Sequence, residues 1–256
     1  MDIATILGLV LGLGAVIGGS LLEGLHIQSL IQPTAAIIVL GGTFGATFIS
    51  FPMHAAIQAL KDLKLLFVSP EKPDEIIAVI LEFATRARKN GILSLEVDSK
   101  TSADPFLRKA LRLCVDGVEP SDVEGILEIE LGTYEEHAKL SVEFYEAAGG
   151  YAPTIGIIGA VLGLIHVMSN LSDTSKLGEG IAVAFVATIY GLVTANLLCL
   201  PFATKIKMRI KVELQRREML TAGILGIQAG SNPRFIEERL KAFLAGGGEQ
   251  AEEGGS

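Results

Sequence analysis

Four long runs without a charged residue divide the sequence, and the stretches between them carry apolar positions at helical spacing. The charge-free runs are residues 3–22, 24–60, 147–172 and 180–204. A bilayer core takes about 20 apolar residues in helix. The first, third and fourth runs therefore predict one span each. The second predicts a loop over 24–29 followed by a span near 30–51. The first run reads as a retained helix, not a signal peptide. Met1-Asp2 offers no basic leader, the apolar stretch is too long, and another span follows closely.

The charged stretches also read as helix. Pro73 suits a first turn, and Asp74 and Glu75 complement the positive end of the helix dipole. Ile76, Ile77, Val79, Ile80, Phe83 and Ala87 then recur on one face, and Asn90-Gly91 stops the helix. Asp104-Pro105 starts another, with Phe106, Leu107, Ala110, Leu111 and Cys114 on one side and Gly117 beyond it. Ser121-x-x-Glu124 has the form of a capping box, and its helix is expected to feed the third span through Gly149-Gly150. A last amphipathic helix over 235–244 follows Asn232-Pro233, and the Gly- and Glu-rich stretch 246–256 reads as disordered. No segment shows strand alternation.

Charge adds orientation. Of 21 Lys and Arg residues, all but Lys176 fall in 61–146 and 205–256. Positive residues mark the cytoplasmic side, so both termini and the central segment are expected inside and both short loops outside. The expected architecture is an all-α membrane protein with four transmembrane helices and a helical cytoplasmic domain between spans two and three. Its parts are 1–60 (spans one and two), 61–146 (cytoplasmic domain), 147–204 (spans three and four), 205–245 (cytoplasmic C-terminal helices) and 246–256 (tail). A net charge of −8 argues against nucleic-acid binding. Cys114 and Cys199 read as small buried apolar residues.

The chemistry is notable for what the spans lack. Ion-moving proteins place ionisable residues within the membrane, and none of the four runs holds an Asp, Glu, Lys or Arg. Their polar residues include Thr154, His166, Ser169, Asn170, Thr188, Tyr190, Thr194 and Asn196, all in runs three and four. If this chain helps to carry ions, the carrier comes from another polypeptide. Gly8/Gly12, Gly14/Gly18, Gly41/Gly45 and Gly159/Gly163 are each four apart, a spacing for close helix packing within one chain or between copies. Pro153 and Pro201 each lie within about two turns of the cytoplasmic end of a span. They read equally as local kinks or as a paired hinge. Arg86, Arg88, Lys89 and Glu96 flank the Asn90-Gly91 break and read as a solvated face. No P-loop, no Gly-x-Ser-x-Gly and no metal-ligand spacing occurs, so no enzyme and no cofactor are expected.

Three stretches carry a resemblance. They are Arg88-Lys89-Asn90-Gly91-Ile92-Leu93-Ser94-Leu95-Glu96, the run Ala152-Pro153-Thr154-Ile155-Gly156-Ile157-Ile158-Gly159-Ala160-Val161-Leu162-Gly163-Leu164, and the run Ala182-Val183-Ala184-Phe185-Val186-Ala187-Thr188-Ile189-Tyr190-Gly191 with Pro201 ten residues on. With them the chain resembles the MotA family of flagellar stator proteins, which includes the sodium-driven PomA branch, over nearly its whole length.

The resemblance implies a homo-oligomer in the bacterial inner membrane, a ring of five copies around two copies of a MotB-type partner. The partner's single span supplies the ion-binding Asp. It implies an ion path lined by Thr188, Ala160, Thr154 and Tyr190, torque coupling through Pro153 and Pro201, and contact with the rotor switch protein FliG through Arg88 and Glu96, with Lys89 accessory. Sodium-driven members carry Thr at the positions matching Ala160 and Ala187, so the expected ion is H+ in preference to Na+. The alternatives are an ExbB/TolQ-type energising subunit, which typically has three spans, and a membrane scaffold without ion coupling.

Overall fold

The structure is a computed structural model that describes residues 3–68, 71–169 and 174–253. Every regular element among them is helical. Four helices are long and apolar enough to cross a membrane. The chain divides into an apolar unit, residues 1–69 and 137–208, and a charged unit, residues 70–136 and 209–256.

In the apolar unit, span one is Ile3–Leu22, and none of its residues is buried within the chain. Thr5 ties its start to the 63–66 turn by donating to Leu66 O at 3.0 Å. The expected loop contains a short helix, Ile27–Leu30, and the chain is extended at Ile31 and Gln32. Span two then runs Pro33–Ala36, a π-turn Ile37–Gly41, and Gly42–Ser50. It falls within the span expected near 30–51. Phe51 and Pro52 are extended, because proline disfavours helix in the residue before it, and a separate helix Met53–Asp62 follows. Residues 53–60 thus do not belong to the span. This helix buries Ala55, Ala56, Ala59 and Asp62 and exposes Met53, Ile57 and Leu60. Tyr145 donates to Ala59 O at 3.0 Å, and Ser141 and Gln58 donate to the Asp62 carboxylate at 2.6 and 2.9 Å.

Span three is the second part of one unbroken helix, Pro120–Ser169. The expected capping box does not form. Glu119 O accepts from the amides of Asp122 and Val123, so the helix opens with Pro120 in its first turn and Ser121 already inside. Proline's fixed φ suits that first position. Span four runs Thr174–Val193, then a π-turn Thr194–Cys199, then Leu200–Gln228.

The charged unit has one apolar core. Helix Pro73–Asn90 contributes Ile76, Ile77, Ile80 and Phe83, helix Pro105–Val115 contributes Phe106, Leu107 and Leu111, and helix Leu200–Gln228 contributes Met219, Leu220 and Ile224. The chain stops where expected. Gly91 and Gly117 have φ of 80° and 75°, a region that L side chains rarely adopt. Asp104 caps its helix by accepting from Phe106 N at 2.8 Å. The last helix, Pro233–Glu253, continues past residue 246, where disorder is expected. Gln250, Ala251, Glu252 and Glu253 are good helix formers.

Arg216 and Arg217 join the pieces of this unit. Arg216, 16% exposed, bonds Glu71, Asp104 and Glu213. Arg217 bonds Glu213 and lies over the rings of Phe106 and Tyr134, 5.3 and 3.8 Å from their centres.

Candidate functional site

Spans three and four pack backbone to backbone along most of their length. A Cβ placed on Gly149 would meet Leu200 at 2.7 Å. On Gly191 it would lie 2.6 Å from Ala152 O, on Gly156 3.0 Å from Ala187 O, on Gly159 2.7 Å from the Ala187 methyl, and on Gly163 2.8 Å from Gly180 O. Contacts this close need residues without side chains, and such contacts take the place of hydrophobic association between helices in lipid. The two readings of the glycine pairs now separate. Gly159 and Gly163 form an intrachain seam and Gly12 faces Leu197 at 3.1 Å, whereas a Cβ on Gly8, Gly14, Gly18, Gly41 or Gly45 meets no other part of the described residues within 4 Å beyond its own helix.

Thr188 lies on this seam. Its Cα is 3.5 Å from the position of a Gly156 Cβ, and its hydroxyl donates to Ala184 O at 3.2 Å. That bond satisfies the hydroxyl within its own helix. Ala160, half-buried, follows Gly159. Thr154 is exposed and donates to Tyr151 O at 2.8 Å. Tyr190, expected with them, turns to the connection before span two, where its hydroxyl donates to Leu30 O at the end of the short helix at 2.6 Å. His166 is exposed, and Asn170 lies outside the described residues.

The two prolines are not equivalent. Proline removes an N–H, and its ring crowds the carbonyl four residues earlier. For Pro201 that residue is Leu197, within the π-turn Thr194–Cys199. For Pro153 it is Gly149, and the helix there stays regular. Pro153 is half-buried and Pro201 exposed. Gly149 packs on Leu200, so the neighbourhoods of both prolines touch.

The charged cluster also divides. Arg86 is an internal staple, bonded to Glu82 and, at 2.6 Å, to Asp98. Arg88 and Lys89 are exposed at the end of their helix, and neither pairs with an acid among the described residues. Glu96 is exposed and pairs with Lys100 at 2.6 Å. The hydrogen bond and charge of Lys100 hold the Glu96 carboxyl below its usual range, so it is ionised at neutral pH.

Sequence reasoning missed the hydroxyls of span two. Thr43 and Thr47 are fully buried. Thr47 donates to Thr43 O at 2.8 Å, and Thr43 Oγ1 has no partner among the described residues. It also missed the bond between Ser50 and Tyr151, at 2.9 Å. Threonines at 43 and 47 share a face, a signal that was available. Their depth of burial was not.

Comparison with known proteins fits this arrangement. The profile of the MotA/TolQ/ExbB proton channel family matches residues 98–219, and that of the motility protein A N-terminal region matches residues 6–91. Motility protein A of Bacillus subtilis is 34% identical over 246 residues, covering 95% of this chain and 91% of its own. The solved C. jejuni MotAB structure has a chain that superposes with a TM-score of 0.89 at 33% identity, covering 95% of this chain and 96% of that one. The flagellar MotAB stator complex from Bacillus subtilis gives a TM-score of 0.84 at 34% identity, over 92% and 93% of the two chains.

Proposed function

The chain belongs to the MotA/TolQ/ExbB proton channel family, in its motility protein A branch, and from that premise we propose how this flagellar stator subunit works. It sits in the bacterial inner membrane with both termini in the cytoplasm. With a MotB-type partner it couples proton flow to torque on the rotor. It acts as a channel subunit, not as an enzyme.

The observation that carries this reading is that four apolar spans without an ionisable carrier enclose a close-packed seam holding Thr188. The partner's intramembrane Asp supplies the carrier, and copies of this chain, five in a ring, surround the partner helices. Thr188, Ala160 and Thr154 line the route beside that Asp. Ion entry neutralises the Asp and release restores its charge. One charge crossing 100 mV delivers about 2.3 kcal/mol, several times thermal energy. Pro153 and Pro201 turn that step into movement of the charged unit, where Arg88, Lys89 and Glu96 meet FliG.

Proton coupling is favoured over sodium coupling by the residues at 160 and 187. A sodium ion needs several oxygen ligands as it loses water, and both positions hold Ala. Ala187 is fully buried with its methyl against Gly159, and its side chain offers no oxygen to a cation. Swimming is expected to persist in sodium-free medium and to stop with a protonophore. Swimming that needs sodium and survives the protonophore would reverse the ion assignment.

Electrostatic engagement of the rotor makes a separate prediction. Arg88→Glu is expected to slow swimming at unchanged membrane levels, with partial recovery from a reversed charge on the rotor. Unchanged swimming with Arg88→Glu and Glu96→Lys combined would show that both are merely solvated.

A further inference from the structure

The break before span two sets a problem that Tyr190 solves. Helix Ile27–Leu30 ends and span two begins at Pro33, with Ile31 and Gln32 extended between them. Their φ/ψ values are −93°/95° and −121°/98°, so neither continues a helix. Backbone groups left over at such a break need partners, and any that is buried needs them within the protein. One phenol hydroxyl serves two of them. Tyr190 donates to Leu30 O at 2.6 Å and accepts from Gln32 N at 3.3 Å.

The same side chain lies on a seam between spans two and four. Val183, Val186, Ala187 and Tyr190 follow the i, i+3, i+4, i+7 pattern of one helix face and pack on Ala35 and Val39. Thr188 is next to Ala187, and a helix turns about 100° per residue. Any rotation of span four off this seam therefore moves the Thr188 hydroxyl away from its present direction. Span four is also held by its close backbone contacts with span three, and the two Tyr190 hydrogen bonds add directional contacts at its span-two side, where the rest of the seam is apolar.

We propose that Tyr190 is a positioning residue: its hydroxyl seals the break between the short helix and span two, and so holds span four at the rotation that aims Thr188. The aiming half rests on the assignment of Thr188 to the ion path, and the seal does not.

Two measurements on the assembled complex with its MotB-type partner test this. The first is hydrogen exchange in the unmodified chain. The Gln32 amide is expected to exchange about ten-fold more slowly than that of His26 in the same connection, the protection of one partly buried hydrogen bond. Fast Gln32 exchange overturns the seal whether or not any variant folds. The second is torque per assembled stator, read from the stepwise recovery of motor speed as single stators join. Tyr190→Phe is expected to lose about half or more of the step while stator number is kept. Combined with Thr188→Ala, it is expected to be no worse than the weaker single variant, because residues acting through one another are not additive. A full step in Tyr190→Phe, or losses that multiply, overturns the positioning role. A full step in Thr188→Ala instead sinks the ion-path reading of Thr188.

Discussion

Gly191→Ala is expected to disrupt the membrane unit more than any other single methyl added to this chain. The new Cβ would lie 2.6 Å from Ala152 O and 3.2 Å from the Cα of Gly156, both backbone atoms that no side-chain rotation can clear. Spans three and four must then separate, and the separation spreads to the Gly149–Leu200 contact on one side and the Gly159–Ala187 contact on the other. Overpacking of this kind costs about 3 kcal/mol, the upper part of the usual range. Better helix propensity returns only about 1 kcal/mol. The expected result is a sharp fall in assembled complex and loss of motility. Gly125→Ala is the control, since a Cβ there meets nothing within 4 Å. Its complex should be as abundant as the unmodified one. Equal abundance and motility for Gly191→Ala would show that the seam has slack the structure does not reveal.

Arg216→Met is expected to unfold the charged unit while leaving the spans able to insert. Arg216 is largely buried and holds Glu71, Asp104 and Glu213 together. Removing one partner of a fully buried ion pair costs about 3–5 kcal/mol; this cluster is partly exposed, with Glu71 61% and Glu213 31% exposed, and its loss costs less. Asp104 is hit hardest. It is 18% exposed and caps the Pro105–Val115 helix through Oδ1, so without Arg216 its Oδ2 is left without its cation. A domain's whole stability is about 5–15 kcal/mol, so the unit is expected to become protease-sensitive at growth temperature. Limited proteolysis of membranes carrying the variant, with an antibody to each unit, reads this directly. Resistance equal to that of the unmodified chain would mean that Arg217 and the apolar core hold the unit without Arg216.

Most of the helical layout was legible because lipid and water impose different codes. Runs lacking charge marked all four spans, and Gly91, Gly117 and Asp104 marked the stops and starts of the charged unit in the places where they occur. Span two ends at Ser50, close to the expected 51, and residues 53–60 of the charge-free run form a separate helix that packs one face of alanines on the unit. The Ser121 box failed because Pro120 already satisfies the first turn. At the site, Thr188 and the prolines could be singled out by motif, and the Gly159/Gly163 spacing announced close packing. The partner of Tyr190 could not be read. Its hydroxyl bonds Leu30 across 160 positions of sequence, and nothing local to either residue encodes that contact. The difference between Pro153 and Pro201 was equally hidden, because it lies in how each helix redistributes hydrogen bonds, by a π-turn in one and a regular ladder in the other.

In the proposed mechanism this chain forms the walls and the lever of the ion path while a second polypeptide carries the ion. Proton flux into liposomes separates the two roles, measured with the chain alone, with an unplugged MotB-type partner, and with that partner's intramembrane Asp changed to Asn. No saturable flux is expected from the chain alone, flux is expected with the partner, and the Asn variant is expected to abolish it. Saturable proton flux from the chain alone, or flux that survives the Asn variant, would contradict this and place the carrier in this chain or elsewhere.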